Sequence, residues 1–491
     1  MTPEVLTGKG SAKPTALRLP GQRAWIFVGI AVALLGLAGE CYRYLALGAY
    51  IDHIEGGVAV SGWQYIHGWA LYQIEDGAPR FATFYGPLAY LVEVPALALL
   101  GPGVVASKLT SIVALAATVG LMAMHFTRRA PRHAPEGVLF LAAGLLMFSP
   151  ESFWARPDPA ELFLVALAVV SAQGRRGGLW VGICIGLAVN FKVHAFAYFL
   201  PVLFELWRAR RGSAVLTAAA AAALTFVLPF LAPGISFHDY VAGLAHQVGG
   251  RAPSLSQVGF TAVWLPVLSW PLAFPLLASN GSSRDRAYAW SALATLTLLI
   301  YPASFPGAGP YHFLPLLPVL ADAYHRLRPE DIGTQFAPFL MLLAASVTTQ
   351  GTLKIIDQQR GSRAVAEAAL ALARDNDAHP VQIGYGDNLG SYQVSQLSRT
   401  VLALNGYPAL IDAQVLTELY AIGIDGSSRW IRYLTGCRVA RWLIPKSEEP
   451  FAVAGESPLF STAFRQAFLE NYKITQTTEH FDVWGCDHGR K

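Results

Sequence analysis

Charged residues are what this sequence is short of. Only 14% of its 491 positions are Asp, Glu, Lys or Arg, against 54% that are hydrophobic; a soluble protein carries roughly 25% charged residues. The shortage is local. Residues 24–350 hold nearly all the long apolar runs, and 351–491 read as an ordinary soluble domain. A single water-soluble body is thereby excluded, and a polytopic α-helical membrane protein with a small C-terminal α/β domain is predicted. Cysteine is scarce too, at four residues. Cys41 and Cys184 fall in or near apolar runs and read as inert packing residues. Cys437 and Cys486 lie in the C-terminal domain and could pair if it faces an oxidising compartment. Zinc-ligand spacing, a Walker loop and a Gly-rich dinucleotide fingerprint are all missing, so no cofactor is expected; two nearby carboxylates leave room for a divalent metal without calling for one. The net charge of +4 is small and placed by loops, which speaks against a nucleic-acid partner and for the lipid bilayer as surroundings.

Apolar runs lie at roughly 24–46, 84–101, 104–126, 136–150, 159–173, 178–191, 194–207, 213–233, 258–278, 287–304, 312–325 and 335–350, which predicts about 11–13 membrane-spanning helices. Residues 1–23 are polar and basic and read as a cytoplasmic tail ahead of an uncleaved anchor. Glu40 interrupts the lipoprotein-like box Leu37-Ala38-Gly39-Glu40-Cys41, which speaks against lipidation. Basic clusters at Arg128, Arg129 and Arg132, at Arg175 and Arg176, at Arg208, Arg210 and Arg211, at Arg284 and Arg286, and at Arg326 and Arg328 should all stay in the cytoplasm. They do so only if 84–101, with Pro87, Glu93 and Pro95, fails to cross and is re-entrant or interfacial. Connections 47–83, 150–158, 234–257 and 305–311, and the domain 351–491, then fall on the outer side. Within 47–83, aromatic residues such as Trp63, Tyr65, Trp69 and Tyr72 predict interfacial helix. In the C-terminal domain the pattern predicts strands at 381–385, 438–445 and 472–486, the last a hairpin, and a helix over 391–404.

Ionisable residues beside a bilayer are costly and tend to be kept for a task. Asp52 and Glu55 follow the first span; either could serve as a general base, or they could cap the next helix or pair with Arg43. Tyr85 and Tyr90 flank Pro87 and could line a site or anchor the interface. In Trp154-Ala155-Arg156-Pro157-Asp158-Pro159-Ala160-Glu161, Asp158 and Glu161 read as helix caps. Arg156 is then left over on the outer face, where a guanidinium suits an anionic group such as phosphate. Lys192 and His194 interrupt two apolar runs on the same face, and Tyr311 and His312 open a helix there, where anions are favoured. Each is individually open to a bland reading as a snorkelling or interfacial residue.

These pieces, in this order, resemble the GT-C glycosyltransferases, in particular the bacterial branch related to dolichyl-phosphate-mannose-protein mannosyltransferases and lipid A aminoarabinose transferases. The resemblance covers 24–350 and rests on Ile54-Glu55-Gly56-Gly57, on Gly68 with Leu71-Tyr72, on Tyr85-Gly86-Pro87-Leu88-Ala89-Tyr90-Leu91, on Arg156-Pro157-Asp158, and on Tyr311-His312-Phe313-Leu314-Pro315-Leu316-Leu317-Pro318. It implies a multi-pass protein of a bacterial inner membrane, N-terminus in the cytoplasm and C-terminal domain in the periplasm or outside. It also implies a polyprenyl-phosphate sugar donor and an acceptor hydroxyl on a glycan, lipid or protein. Catalysis would be a direct, inverting displacement with Glu55 or Asp52 as base, and Arg156, Lys192, His194, Tyr311 and His312 would serve the donor phosphate. The rival reading is a transporter or flippase of a lipid-linked sugar, which would more often show internal repeats and mid-span charges.

Overall fold

The structure, a computed structural model, describes residues 22–72, 85–210, 212–249, 252–277, 282–305, 307–327, 332–375, 381–407, 409–411, 416, 427–453 and 459–487. The expected parts of the outer connection at 73–83, and the basic residues Lys9, Lys13, Arg18, Arg211 and Arg328, lie outside them.

The membrane part is a helical bundle. Its helices are α1 (Gln22–Ala46), α2 (His53–Ile66), α3 (Pro87–Leu91), α4 (Val94–Leu100), α5 (Val104–Arg129), α6 (Ala134–Met147), α7 (Asp158–Ser171), α8 (Gly177–Val189), α9 (Leu200–Arg210), α10 (Ser213–Val227), α11 (Phe237–Gly249), α12 (Leu255–Ala262), α13 (Trp264–Leu277), α14 (Ser283–Leu298), α15 (Ile300–Ala303), α16 (Leu317–Arg326) and α17 (Ile332–Gln358). Among the described residues, four stretches are long and apolar enough to cross a membrane unaided: Arg23–Ala46, Val104–Arg129, Ser213–Leu231 and Phe336–Arg374. Shorter members such as α6, α7 and α16 bury most of their length among neighbours. Several are prolonged by 3-10 turns, Val193–Phe199 before α9 and Pro310–Leu316 before α16. Surrounded by protein rather than lipid, they need not match the bilayer alone.

Small residues set the closest helix contact. Gly178, Gly182 and Gly186 on α8 face the Ala-rich α10, where a Cβ at Gly182 would come within 2.2 Å of the Ala218 carbonyl oxygen. Without a hydrophobic drive between helices in lipid, such backbone approach supplies the packing energy. The expected run 84–101 is broken into α3 and α4 at Val92-Glu93. Its full helical length, Pro87–Leu100, spans roughly 20 Å at 1.5 Å per residue, short of the ~30 Å hydrocarbon core.

α17 continues past residue 351 into the C-terminal part, which adds α18 (Ser362–Arg374), α19 (Leu389–Leu404), α20 (Ile431–Thr435) and α21 (Thr462–Asn471). Strands β1 (Val381–Ile383), β2 (Arg441–Pro445), β3 (Tyr472–Thr477) and β4 (Phe481–Cys486) form one sheet in the order β1-β2-β4-β3. β1 pairs parallel with β2, and β2 and β3 both pair antiparallel with β4. The expected hairpin is β3–β4. Trp442 anchors an aromatic core with Phe451, Phe464, Phe468 and Tyr472. Cys437 and Cys486 are joined in a disulfide with Cα atoms 5.9 Å apart, while Cys41 and Cys184 are free and buried.

The two ends of the bundle differ chemically. At one end Arg326 meets Asp322 at 2.8 Å and Glu205 at 3.3 Å, Arg284 meets Glu205 at 2.7 Å, and Arg129 lies 3.9 Å from Asp285. Arg129, Arg284 and Arg326, from three of the basic clusters, are thus gathered at the end of the bundle where α5 and α16 finish, opposite Lys108 near the start of α5 and His312 ahead of α16.

Candidate active site

α2 carries both carboxylates, and its start shows why. Asp52 is the N-cap and accepts from the Ile54 N–H at 2.9 Å; Glu55, three residues on, returns to the Asp52 N–H at 2.8 Å, completing a capping box. The helix-cap alternative for these residues is therefore real, yet it leaves the two acids in unlike states. Glu55 is fully buried. Its Oε1 also accepts from the Ile51 N–H at 2.9 Å; its Oε2 accepts from the Ala155 N–H at 2.8 Å and from the Tyr44 hydroxyl. Four donors fill the lone pairs of a carboxylate. Burial pushes the Glu55 carboxyl above the usual carboxylate range; the Tyr44 hydrogen bond opposes the rise, and the charge of Asp52 adds to it. Asp52, by contrast, keeps 23% of its side-chain surface exposed. It turns toward Arg156 at 3.4 Å, with His53 Nδ1 at 3.7 Å from its second oxygen. The expected alternative partner Arg43 is replaced by Arg156.

Arg156 is held on several sides. It donates to the Tyr85 hydroxyl at 3.0 Å, and its guanidinium lies 4.0 Å from the Trp154 ring centre and 5.2 Å from that of Tyr311. Tyr85 reaches it because residues 85–88 run against 190–191: the Gly86 N–H donates to the Phe191 carbonyl at 3.0 Å, and a Cβ on Gly86 would strike the Asn190 carbonyl oxygen at 2.1 Å. Tyr85 and Arg156 are thus brought together as candidate site residues. Tyr90 is not: it is fully buried in an apolar cluster with Val58, Leu71 and Tyr240, and its hydroxyl accepts from the Tyr85 N–H at 3.2 Å.

Asp158 and Glu161 correct the capping expectation. Pro157 occupies the N-cap of α7 and no side chain caps it. Asp158 instead accepts from Lys192 at 2.5 Å and from the Trp154 indole at 3.1 Å, with Glu161 3.9 Å from the same ammonium. The reason is electrostatic: a fully buried carboxylate gains more from a cation than from a helix N-terminus. Burial alone would raise the Asp158 carboxyl, but Lys192 and Arg156 more than offset it and hold it below the usual range. Lys192, expected on a phosphate, is therefore engaged inside the protein, though its ammonium is still 5.4 Å from the Tyr311 ring centre. His194 and His312 hydrogen-bond each other, Nε2 to Nδ1 at 3.0 Å, and Tyr311 stacks on His312 with ring centres 4.7 Å apart. Arg156, Tyr85 and Tyr311 thus form one wall, backed by Lys192 and the histidine pair. Among the described residues, no group of three His, Cys, Asp or Glu is placed to hold a metal ion.

Two members were not picked out from the sequence. Tyr44 anchors Glu55. Lys108, fully buried near the start of α5, donates to the carbonyls of Tyr44 at 2.6 Å and Ala49 at 2.5 Å, with its ammonium 3.9 Å from the Tyr44 ring centre. Its signal was present: a lone cation within an apolar run is itself grounds for suspicion.

Residues 83–303 match the model of glycosyltransferase family 87, a stretch that contains Tyr85, Arg156, Lys192 and His194 and leaves out Asp52, Glu55, Tyr311 and His312. The crystal structure of ArnT from Cupriavidus metallidurans bound to undecaprenyl phosphate is similar with a TM-score of 0.59 and 14% identity, over 95% of this chain and 98% of that one. The apo form of that ArnT gives 0.54 and 14%, over 94% and 98%. Identity this low speaks for the fold. A sequence comparison with curated proteins found no match. A glycosyltransferase family 87 match over the stretch that holds Tyr85 and Arg156 thus stands beside an ArnT-like fold along nearly the whole chain, with the long apolar helices of a multi-pass membrane protein.

Proposed function

We propose that the protein moves a sugar from a polyprenyl-phosphate donor to an acceptor hydroxyl at the outer face of a bacterial inner membrane, with inversion, and that Asp52 is the base. The observation that carries this is the 3.4 Å approach of Asp52 to Arg156. It puts an accessible carboxylate beside a guanidinium that aromatic rings hold in place. The donor of the reading agrees with the undecaprenyl phosphate bound by the similar ArnT. The basic turns gathered at the opposite end support an N-terminus in the cytoplasm and the C-terminal domain outside.

In this scheme the donor phosphate rests on Arg156, with the Tyr85 and Tyr311 hydroxyls as further donors. The acceptor O–H gives its proton to Asp52 as its oxygen bonds to the anomeric carbon. The bond from that carbon to the phosphate oxygen breaks, and its electron pair leaves with polyprenyl phosphate. Arg156 stabilises the charge gathering there, where a preorganised donor counts most. Glu55 does not touch substrate: with every lone pair taken, it fixes the turn that aims Asp52.

The test is transfer from radiolabelled polyprenyl-phosphate sugars by the purified full chain in detergent. Asp52→Asn should lower kcat by about 10²–10⁴-fold with donor binding kept. Glu55→Gln, which keeps the shape and some of the acceptor capacity, should retain more activity and lose thermal stability. The reverse ranking, with full loss in Glu55→Gln and activity in Asp52→Asn, moves the base to Glu55. Retention of configuration, with a covalent sugar–enzyme adduct, overturns the displacement.

A further inference from the structure

Asp52 has two sides, and only one is taken up by the wall that faces the phosphate. Its Oδ1 accepts from the Ile54 N–H and faces Arg156, whereas its Oδ2 turns to His53 Nδ1 at 3.7 Å. In a direct displacement the attacking oxygen comes from the side opposite the leaving group. With the phosphate on Arg156, the acceptor arrives on the His53 side. What stands there belongs to the C-terminal domain. The His53 ring meets Tyr392 of α19 edge-on, with centres 5.5 Å apart, and Tyr392 stacks on Tyr385 at 5.8 Å. Tyr385 is buried and its ring lies tilted against that of Phe460, with centres 5.7 Å apart, so the row is rooted in the domain core. His53 and Tyr392 are only half-buried. Polar groups edge the row: Ser391 donates to Glu448 at 2.8 Å, and the Asn388 N–H reaches the same carboxylate at 3.3 Å.

Resting on the function proposed above, we propose that the acceptor is a sugar, received on the His53–Tyr392 platform at the seam between α2 and the C-terminal domain. A sugar ring has an apolar C–H face that packs on aromatic carbon and a rim of hydroxyls that needs polar partners, the combination found here. An alkyl alcohol would call for an apolar slot without the Ser391–Glu448 edge. A peptide would call for unpaired backbone groups along an extended groove. The acceptor hydroxyl thus enters between an aromatic floor from the outer domain and the base on α2.

The experiment uses the full chain in detergent with a radiolabelled polyprenyl-phosphate sugar. Three simple acceptors are compared at equal hydroxyl concentration: a panel of short alkyl glycosides, a Ser/Thr peptide and a long-chain alcohol. One or more glycosides should be used in preference. Tyr392→Ala should raise the KM for the glycoside about tenfold, the worth of one aromatic contact, with the donor KM within about twofold, and Tyr392→Phe, which keeps the ring, should restore it. Preference for the peptide or the alcohol overturns the proposal. So does a Tyr392→Ala enzyme whose acceptor KM is unchanged while kcat and donor KM move together, since the contact then only docks the domain. A wild-type protein that consumes donor by hydrolysis but glycosylates none of the three defeats the platform alone. One that consumes no donor at all defeats the underlying function.

Discussion

At the scale of single residues, the site is a set of charges whose neighbours decide their roles. Lys192 and Asp158 form a fully enclosed pair at 2.5 Å. Removing one partner strands the other, at a cost of about 3–5 kcal/mol, whereas replacing both by apolar groups of similar size is much milder. Lys192→Met should therefore sharply lower the melting temperature in detergent, and adding Asp158→Leu should recover a good part of it. The pH sign follows from the direction of the shift. Asp158 is held below its usual range in the fold, so its contribution is whole above the unfolded value near pH ~3.9 and fades as pH falls through the folded one. Melting curves should show no effect of Asp158→Asn on the pH trend near neutrality and a flatter acid limb. Asp52, Glu55 and Arg156 could be seen in the sequence because each is an ionisable group at a membrane face. The Lys192–Asp158 pair could not. Thirty-four positions separate the partners, and Asp158-Pro159 ahead of an apolar run carries every mark of a cap.

Elements tell a similar story one level up. α2 is squeezed between two bodies: a Cβ on Gly62 would lie 2.2 Å from the Tyr90 carbonyl oxygen of α3, and one on Gly56 would lie 2.3 Å from Thr400 Oγ1 of α19. The first obstacle is backbone and cannot turn aside; the second is a hydroxyl that can rotate. Gly62→Ala should thus lower both stability and kcat, while Gly56→Ala should cost less on both counts, as read by melting temperature and transfer rate in the same preparations. Most helices were legible from apolar runs alone, since burial and lipid select for the same residues. The break of 84–101 was legible in part: Pro87, Glu93 and Pro95 argued against a plain crossing, and the halt at Val92-Glu93 falls where Pro95, with no N–H for the Leu91 carbonyl, opens α4. The Ala-rich run 218–223 stood out in the sequence; its meaning came from the facing glycines of α8.

Over the whole molecule, the C-terminal domain is not an appendage. Ala403 and Ala409 pack with Val60 of α2, and Leu404 packs with Leu97 of α4 and with Trp63. Arg363 of α18 covers Gly48, whose φ of +64° favours glycine and whose Cβ would come within 2.9 Å of Arg363 Cδ. The disulfide closes a sequence separation of 49, for which chain entropy gives about 4 kcal/mol of stabilisation. Cys437→Ser should lower the domain's melting temperature, and reductant should do the same to the wild type and nothing further to the variant. The strands and the α19 helix were legible from alternation and turn residues. The docking of that domain on α2 was not, because it depends on pairs such as Gly56 and Thr400 that lie far apart in the chain.

That separation has a consequence for how the protein comes into being. α2 leaves the ribosome early, among the first segments made, yet its seat is finished only when Thr400, Ala403 and Leu404 arrive. Contacts so distant in sequence form late, after a long search. A chain caught partway through synthesis would hold Asp52 and Arg156 without the α19 side that packs on α2. The seat of α2 is thus completed last, after every helix of the membrane part has been made.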